Sequence, residues 1–343
     1  MKKNLQHIDE IRFLIIHFIL LNHWAISIYI SKVPINQSLV SFWFVFTSPT
    51  LALISGYLFF YRTKDQFDFR QKVKTRIHSL IVPFLMWTIG FYLIYMGAKT
   101  GYAAVFHQTP WYKAPESFSL RRLLDTIVNP PLVNFWYLQN LILVIPFNFL
   151  FYYLLKNNYA FFGLLGLILL VYAFNLFNIY FEPRFLPYYL IGAFLGYNEM
   201  SMPRVRFKWF ATIAATLVLS YLICESSKMQ YDSLIPIFWL VFVVMVSCFS
   251  IFNIVDSNQN SLLFKYLKKY KQHSFFLFAS NIFIFALVQR MLILVGADNY
   301  FQNAFYVLFF CIVTFVLVII LTFTIAEFLK QMVPKFYYTI TGR

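Results

Sequence analysis

Residues 8–30, IDEIRFLIIHFILLNHWAISIYI, form a run long enough to cross a ~30 Å hydrocarbon core as helix, yet they carry Asp9, Arg12, His17 and His23. A guanidinium and an imidazole are costly in lipid and are tolerated mostly where they line a cavity or pair. The stretch therefore reads as a membrane helix with a functional face. At ~100° per residue, Arg12 and His23 fall on one face, roughly 16 Å apart along the axis. Asp9 lies three residues before Arg12, close enough to hold the guanidinium on that face. His17 lies about 140° from Arg12 around the helix and faces elsewhere. Lys2 and Lys3 give the segment the look of a cleaved signal, but it lacks a small-residue cleavage site and reads as a retained first helix.

Composition extends this reading to the whole chain. Of 343 residues, 61% are hydrophobic and only 12% charged, with 44 Phe and 24 Tyr. A soluble domain could not keep that much apolar surface from water, so the bilayer is the expected solvent. Cys224, Cys248 and Cys311 sit singly in different apolar segments, without metal-ligand spacing, and read as buried small groups. No metal site is expected.

Hydrophobic runs and their breaks give about ten spans: 8–30, 39–60, 78–97, 132–155, 159–181, 185–197, 209–224, 234–252, 273–296 and 302–329. With the N-terminus in the cytoplasm, this count places most Lys and Arg on the inner side, and omitting the short sixth span reverses the bias. The fold class expected is thus all-α: a polytopic transmembrane helical bundle of about ten helices, both termini cytoplasmic, forming a single membrane-embedded domain over 1–343. The net charge of +15 is accounted for by topology and by attraction to anionic inner-leaflet lipid. No nucleic-acid motif is visible, so nucleic acid is not an expected partner. The longest break, Ala98 to Pro131, is either a lid over an outward-facing cavity or a plain connector.

The first helix suits a reaction whose charged reactant enters from the cytoplasm and whose chemistry occurs deep in the membrane. Arginine recognises phosphate or carboxylate through a planar fork of donors, and neutral imidazole can take a proton from a hydroxyl. The competing reading has Arg12 snorkelling to the inner headgroups and His23 bonding to a neighbouring helix. Spacing alone leaves both open.

Five further stretches join this one in order. Asp9-Glu10-Ile11-Arg12, followed by His23, resembles the opening signature of the acyltransferase-3 family, bacterial membrane O-acyltransferases of surface glycans. Ile54-Ser55-Gly56-Tyr57-Leu58 resembles the family's Ser-Gly motif. Lys72-Val73-Lys74-Thr75-Arg76 running into Pro83 and Trp87 resembles its basic stretch before a Pro-containing helix. Phe135-Trp136-Tyr137-Leu138 resembles the start of its fourth helix, and Phe185 to Gly192 the short sixth one. Ser274 to Asn281 resembles the ninth-helix motif, with Asn281 where many relatives carry His. Asn cannot act as a base at neutral pH, which shifts that burden to His23.

The resemblance implies transfer of an acetyl or other short acyl group from cytoplasmic acyl-CoA to a hydroxyl of a cell-surface or lipid-linked glycan, at the bacterial inner membrane. Acetyl-CoA would be a co-substrate rather than a resident cofactor. His23 would serve as base, and Asp9, the second catalytic candidate, would hold the Arg12 guanidinium. Arg12 with Lys72, Lys74 and Arg76 would hold the coenzyme phosphates, although the last three equally suit inside-positive anchors. Ser55 would hydrogen-bond the developing oxyanion or carry the acyl group, or it would simply permit close helix approach beside Gly56. Trp136 and Tyr137 belong either to the aromatic belt or to a sugar-stacking site. Glu182 and Arg184 either pair or touch the acceptor. Two other readings compete: an exporter of polysaccharide or lipid-linked sugar, against which stands the lack of internal symmetry, and an inactive scaffold within polysaccharide-synthesis machinery.

Overall fold

The computed structural model describes residues 7–24, 47–106, 119–128, 135–173, 185–203, 234–257, 259–294, 296 and 304–343, with backbone alone at several helical positions, 22–24, 95–106 and 234–243 among them. Among the described residues every regular element is helical, in keeping with runs whose backbone must satisfy itself in lipid. The chain begins with α1 (Ile8–Trp24) and α2 (Thr47–Phe60). A basic helix α3 (Phe69–Arg76) passes through one π-turn (Ile77–Ile81) into α4 (Val82–Phe106). Next come α5 (Leu120–Val128), α6 (Trp136–Val144), α7 (Asn148–Leu155), α8 (Asn158–Ala173) and α9 (Phe185–Tyr197). The C-terminal part contains α10 (Leu234–Ser257), α11 (Leu262–Tyr270), α12 (Ser274–Leu294), α13 (Ala304–Met332) and α14 (Pro334–Thr341).

Among the described residues, Phe69–Ile94, Leu262–Leu292 and Ile312–Met332 are long and apolar enough to cross a membrane, and α6 with α7 forms a fourth candidate bent by 63°. This is a membrane protein. The bend falls at Pro146, whose ring and missing N–H break the helical ladder. The expected spans shift in three places. The third begins at Phe69 rather than 78, because the basic segment is helical and capped by Asp68, whose side chain accepts from the Gln71 N–H at 2.9 Å. The ninth is continuous with α11, which Ser261 caps at the Phe264 N–H. The break from Ala98 to Pro131 contains the end of α4 and all of α5. The expected span 209–224 lies outside the described residues.

Helix α1 is the axis of the bundle, packing on α2, α10, α12 and α13. Its core face, including Phe13, Ile15 and Ile19, is buried. The closest crossing is α2 on α9. A Cβ at Gly56 would sit 2.0 Å from the Tyr189 carbonyl oxygen, one at Gly192 2.0 Å from that of Leu53, and one at Gly196 2.3 Å from that of Tyr57. Only glycine lets the backbones touch. Such contact is the main source of helix association where lipid removes the hydrophobic drive. Side-chain bonds tie this pair outward: Thr50 Oγ1 to Cys248 Sγ on α10 at 2.9 Å, and the Tyr189 hydroxyl donating to Asn148 Oδ1 on α7 at 2.9 Å.

Candidate active site and anion-binding cavity

Each wall of one cavity between these helices is set by a local feature. On α1, Asp9 and Arg12 are three residues apart and form an ion pair, Nη1 to Oδ1 3.7 Å, as their spacing predicts. On α2, Gly56 turns its face to α9, so the neighbouring Ser55 points the other way, to the Tyr137 hydroxyl at 2.9 Å. Arg76 is the last residue before the π-turn, and Ser79 lies within it. Lys271 and Gln272 sit in the single 3-10 turn joining α11 to α12.

These groups enclose a cavity of about 530 Å³, within the size range of small-molecule sites. Arg12, Arg76, Lys271 and Arg343 bring four cationic residues to its lining, against Asp9 as the one side-chain carboxylate among the described residues. Behind the wall, buried Glu10 pairs with Lys271 at 3.0 Å. Two of the cations are thus compensated. Among the described residues no ion pair neutralises Arg76 or Arg343. Among the described side chains, the lining therefore holds two guanidinium groups without an ion pair beside a Ser–Tyr hydroxyl pair, which is the chemistry of an anion site.

The expected site residues divide by placement. Asp9, Arg12, Ser55, Arg76 and Tyr137 all reach the cavity. Lys72 instead lies 6.0 Å from the Phe59 ring, and Lys74 points to the exposed side of α3. Tyr137 is 6% exposed and bonded to Ser55, a placement inside the bundle rather than in a lipid-facing belt. Trp136 meets the Tyr137 ring edge-on and is half-buried, outside the lining. His23 lies on α1, whose unbroken helix carries both it and Arg12, while its side chain lies outside the described residues. Glu182 and Arg184 also lie outside them. His17 is turned away from the cavity. Its Nδ1–H donates to the Phe13 carbonyl at 2.8 Å, so Nε2 accepts from the Tyr266 hydroxyl at 3.0 Å. Asn281 is fully buried within α12.

Lys271, Arg343, Ser79 and Thr341 reach the cavity although spacing did not mark them. Lys271 and Arg343 read in the sequence as two more inside-positive charges. The one available signal was Pro334 with Gly342, the punctuation of a short helix. That helix, α14, ends in a Schellman turn: Arg343 N–H to Tyr338 O at 2.9 Å and Gly342 N–H to Thr339 O at 3.2 Å, with Gly342 at φ 70°.

A chain of bonds centred on buried His273 stands behind α14. His273 Nε2 lies 2.8 Å from Glu327 Oε1 on α13, and Nδ1 lies 2.7 Å from the Tyr337 hydroxyl. A carboxylate only accepts, so Nε2 carries the hydrogen and, in the neutral imidazole, Nδ1 accepts from Tyr337. Burial pushes that phenol up to about 12, which keeps it a donor at neutral pH.

With this geometry in view, the comparisons fix the class. The acyltransferase-3 family model, described as an acyltransferase domain, matches residues 5–323, and the chain belongs to that family. It is a membrane acyltransferase of a family that acts in general on glycans. Neither a curated protein nor a solved structure matches the chain.

Proposed function

We propose that this protein transfers an acetyl or other short acyl group from cytoplasmic acyl-CoA to a hydroxyl of a cell-surface or lipid-linked glycan. It would do so from the bacterial inner membrane as a bundle of about ten spans with both termini cytoplasmic. The observation that carries this reading is the meeting of Arg12, Arg76, Ser55 and Tyr137 in one cavity whose lining holds two guanidinium groups without an ion pair among the described residues.

The guanidinium groups of Arg12 and Arg76 hold the coenzyme phosphates, with Asp9 keeping Arg12 aimed. From there α1 leads inward to His23, about 16 Å along its axis, a span the pantetheine arm bridges. His23 takes the proton of the acceptor hydroxyl as its oxygen attacks the thioester carbonyl. The C–S bond then breaks, and the departing thiolate takes that proton back from the imidazolium, leaving the ester and free CoA. The described partner of Ser55 is a phenol and not a base, which favours a hydrogen-bond donor to the thioester oxygen over a nucleophile. Acceptor contacts fall to Trp136, Glu182 and Arg184.

The test is acyl transfer by the purified protein in lipid, with labelled acetyl-CoA, a panel of glycan acceptors, and His23→Ala and Arg12→Ala variants. Label should reach a glycan only with the unsubstituted protein. Absence of transfer to any native-cell glycan, with surface acetylation unchanged in a deletion strain, overturns the reading; transfer undiminished in both variants removes the assigned roles.

A further inference from the structure

Helix α14 lies beyond the family match, which ends at residue 323. It is nonetheless built into the cavity wall at three points. The Trp87 indole N–H donates to the Ile340 carbonyl at 2.9 Å, holding the end of α14 against α4. Tyr337 is 1% exposed and bonded to His273, whose sequence neighbours Gln272 and Ser274 line the cavity. At Gly342 a Cβ would stand 2.4 Å from the Ser79 carbonyl oxygen, so this turn is pressed onto the π-turn that follows Arg76. The positive φ at Gly342 reverses the chain and delivers Arg343 to the cavity, where no carboxylate pairs with it among the described residues.

We propose that Arg343 is a direct ligand for the phosphate groups of the anion bound here, the acyl donor on the reading above, and that Glu327, His273 and Tyr337 act as positioning residues that hold α14 in place. The two lining cations without an ion pair among the described residues, Arg76 and Arg343, come from adjoining elements, the helix end before the π-turn and the Gly342 turn pressed onto it. A pyrophosphate or phosphomonoester group between them accepts from both guanidinium forks and balances their charge. The donor site is then completed by a segment outside the part of the chain that defines the family.

The experiment measures dissociation constants for CoA and for inorganic pyrophosphate on the full chain in phosphatidylcholine nanodiscs, for the wild type, Arg343→Gln, Arg343→Lys, Tyr337→Phe and the Tyr337→Phe/Arg343→Gln double variant. Because Arg343 is exposed, its replacement leaves the fold intact. Arg343→Gln should weaken both ligands about tenfold, the loss of one charge-assisted bond, and Arg343→Lys should recover part of the loss. Tyr337→Phe should weaken CoA severalfold, with no further loss when added to Arg343→Gln, since it acts through that residue. Wild-type affinity for both ligands in Arg343→Gln overturns the proposal, as does full additivity of Tyr337→Phe for the positioning role. If pyrophosphate binds in an Arg343-dependent way and CoA does not, the Arg343 site stands and the acyl-CoA reading falls. Pyrophosphate binding that phosphatidylglycerol discs abolish assigns the site to lipid headgroups and overturns a soluble ligand.

Discussion

Gly192→Ala tests the crossing that aims Ser55. The added methyl would stand 2.0 Å from the Leu53 carbonyl oxygen, whereas an ordinary contact needs 3.4 Å, so α2 and α9 must part by about 1.4 Å. Both partners are backbone, and no side-chain rotation relieves the clash. Overpacking of this kind costs about 1–3 kcal/mol. Ser55 points away from α9, so a shift of α2 by that amount pushes its hydroxyl out of the 2.9 Å bonding position against Tyr137. The expected result is a lower unfolding temperature in lipid, together with a fall in acyl transfer. Gly90→Ala is the internal control, because nothing lies within 4 Å of a Cβ there. It should leave stability unchanged or raise it slightly through helix propensity. Wild-type stability and transfer in Gly192→Ala, or equal damage from Gly90→Ala, refutes the reasoning.

Three other outcomes are expected. Arg76→Gln should raise the KM for the acyl donor about tenfold, while Lys74→Gln, on the exposed side of α3, should change it less than twofold in the same assay. Ser55→Ala should lower kcat roughly 100-fold without an acyl adduct on Ser55 in intact-protein mass spectra of the wild type; a trapped adduct would reverse the assignment. Lys271→Met should destabilise the fold more than Glu10→Gln in thermal unfolding, because it leaves a carboxylate that is 5% exposed with only the His7 ring, 4.0 Å away, beside it; the opposite order sinks this account of the pair.

The parts of the site that were legible in sequence are those fixed by helical periodicity. Asp9 and Arg12 pair as three-residue spacing requires, His17 faces away from Arg12 as its angle requires, and Ser55 diverges from Gly56 because adjacent residues leave a helix in different directions. Distances through space were not legible. Spacing treats Lys72, Lys74 and Arg76 alike, but only Arg76 meets the cavity, because the π-turn and the packing of α4 decide which face of α3 turns inward. Lys271 and Arg343 carry no local mark that separates them from other inner-side charges. They enter the site because the 3-10 turn at 271–273 and the Schellman turn at Gly342 point them there. The bend at Pro146 and the helical start of the third span were open to reading from Pro and from the Asp68 cap, but apolar length alone passed over both.

The π-turn at Ile77–Ile81 has a consequence for how this protein can vary. A π-turn accommodates one residue more than the regular helix would, and each residue advances the side-chain direction by about 100°. It therefore works as a phase adjuster between two halves of a single rod. The polar half ending in Arg76 is clocked to the cavity, and the apolar half containing Trp87 is clocked to α14. With the halves set independently, the lipid-facing sequence of α4 is free to drift without re-aiming the guanidinium, whereas loss of one residue within 77–81 would swing Arg76 by more than a quarter of a revolution.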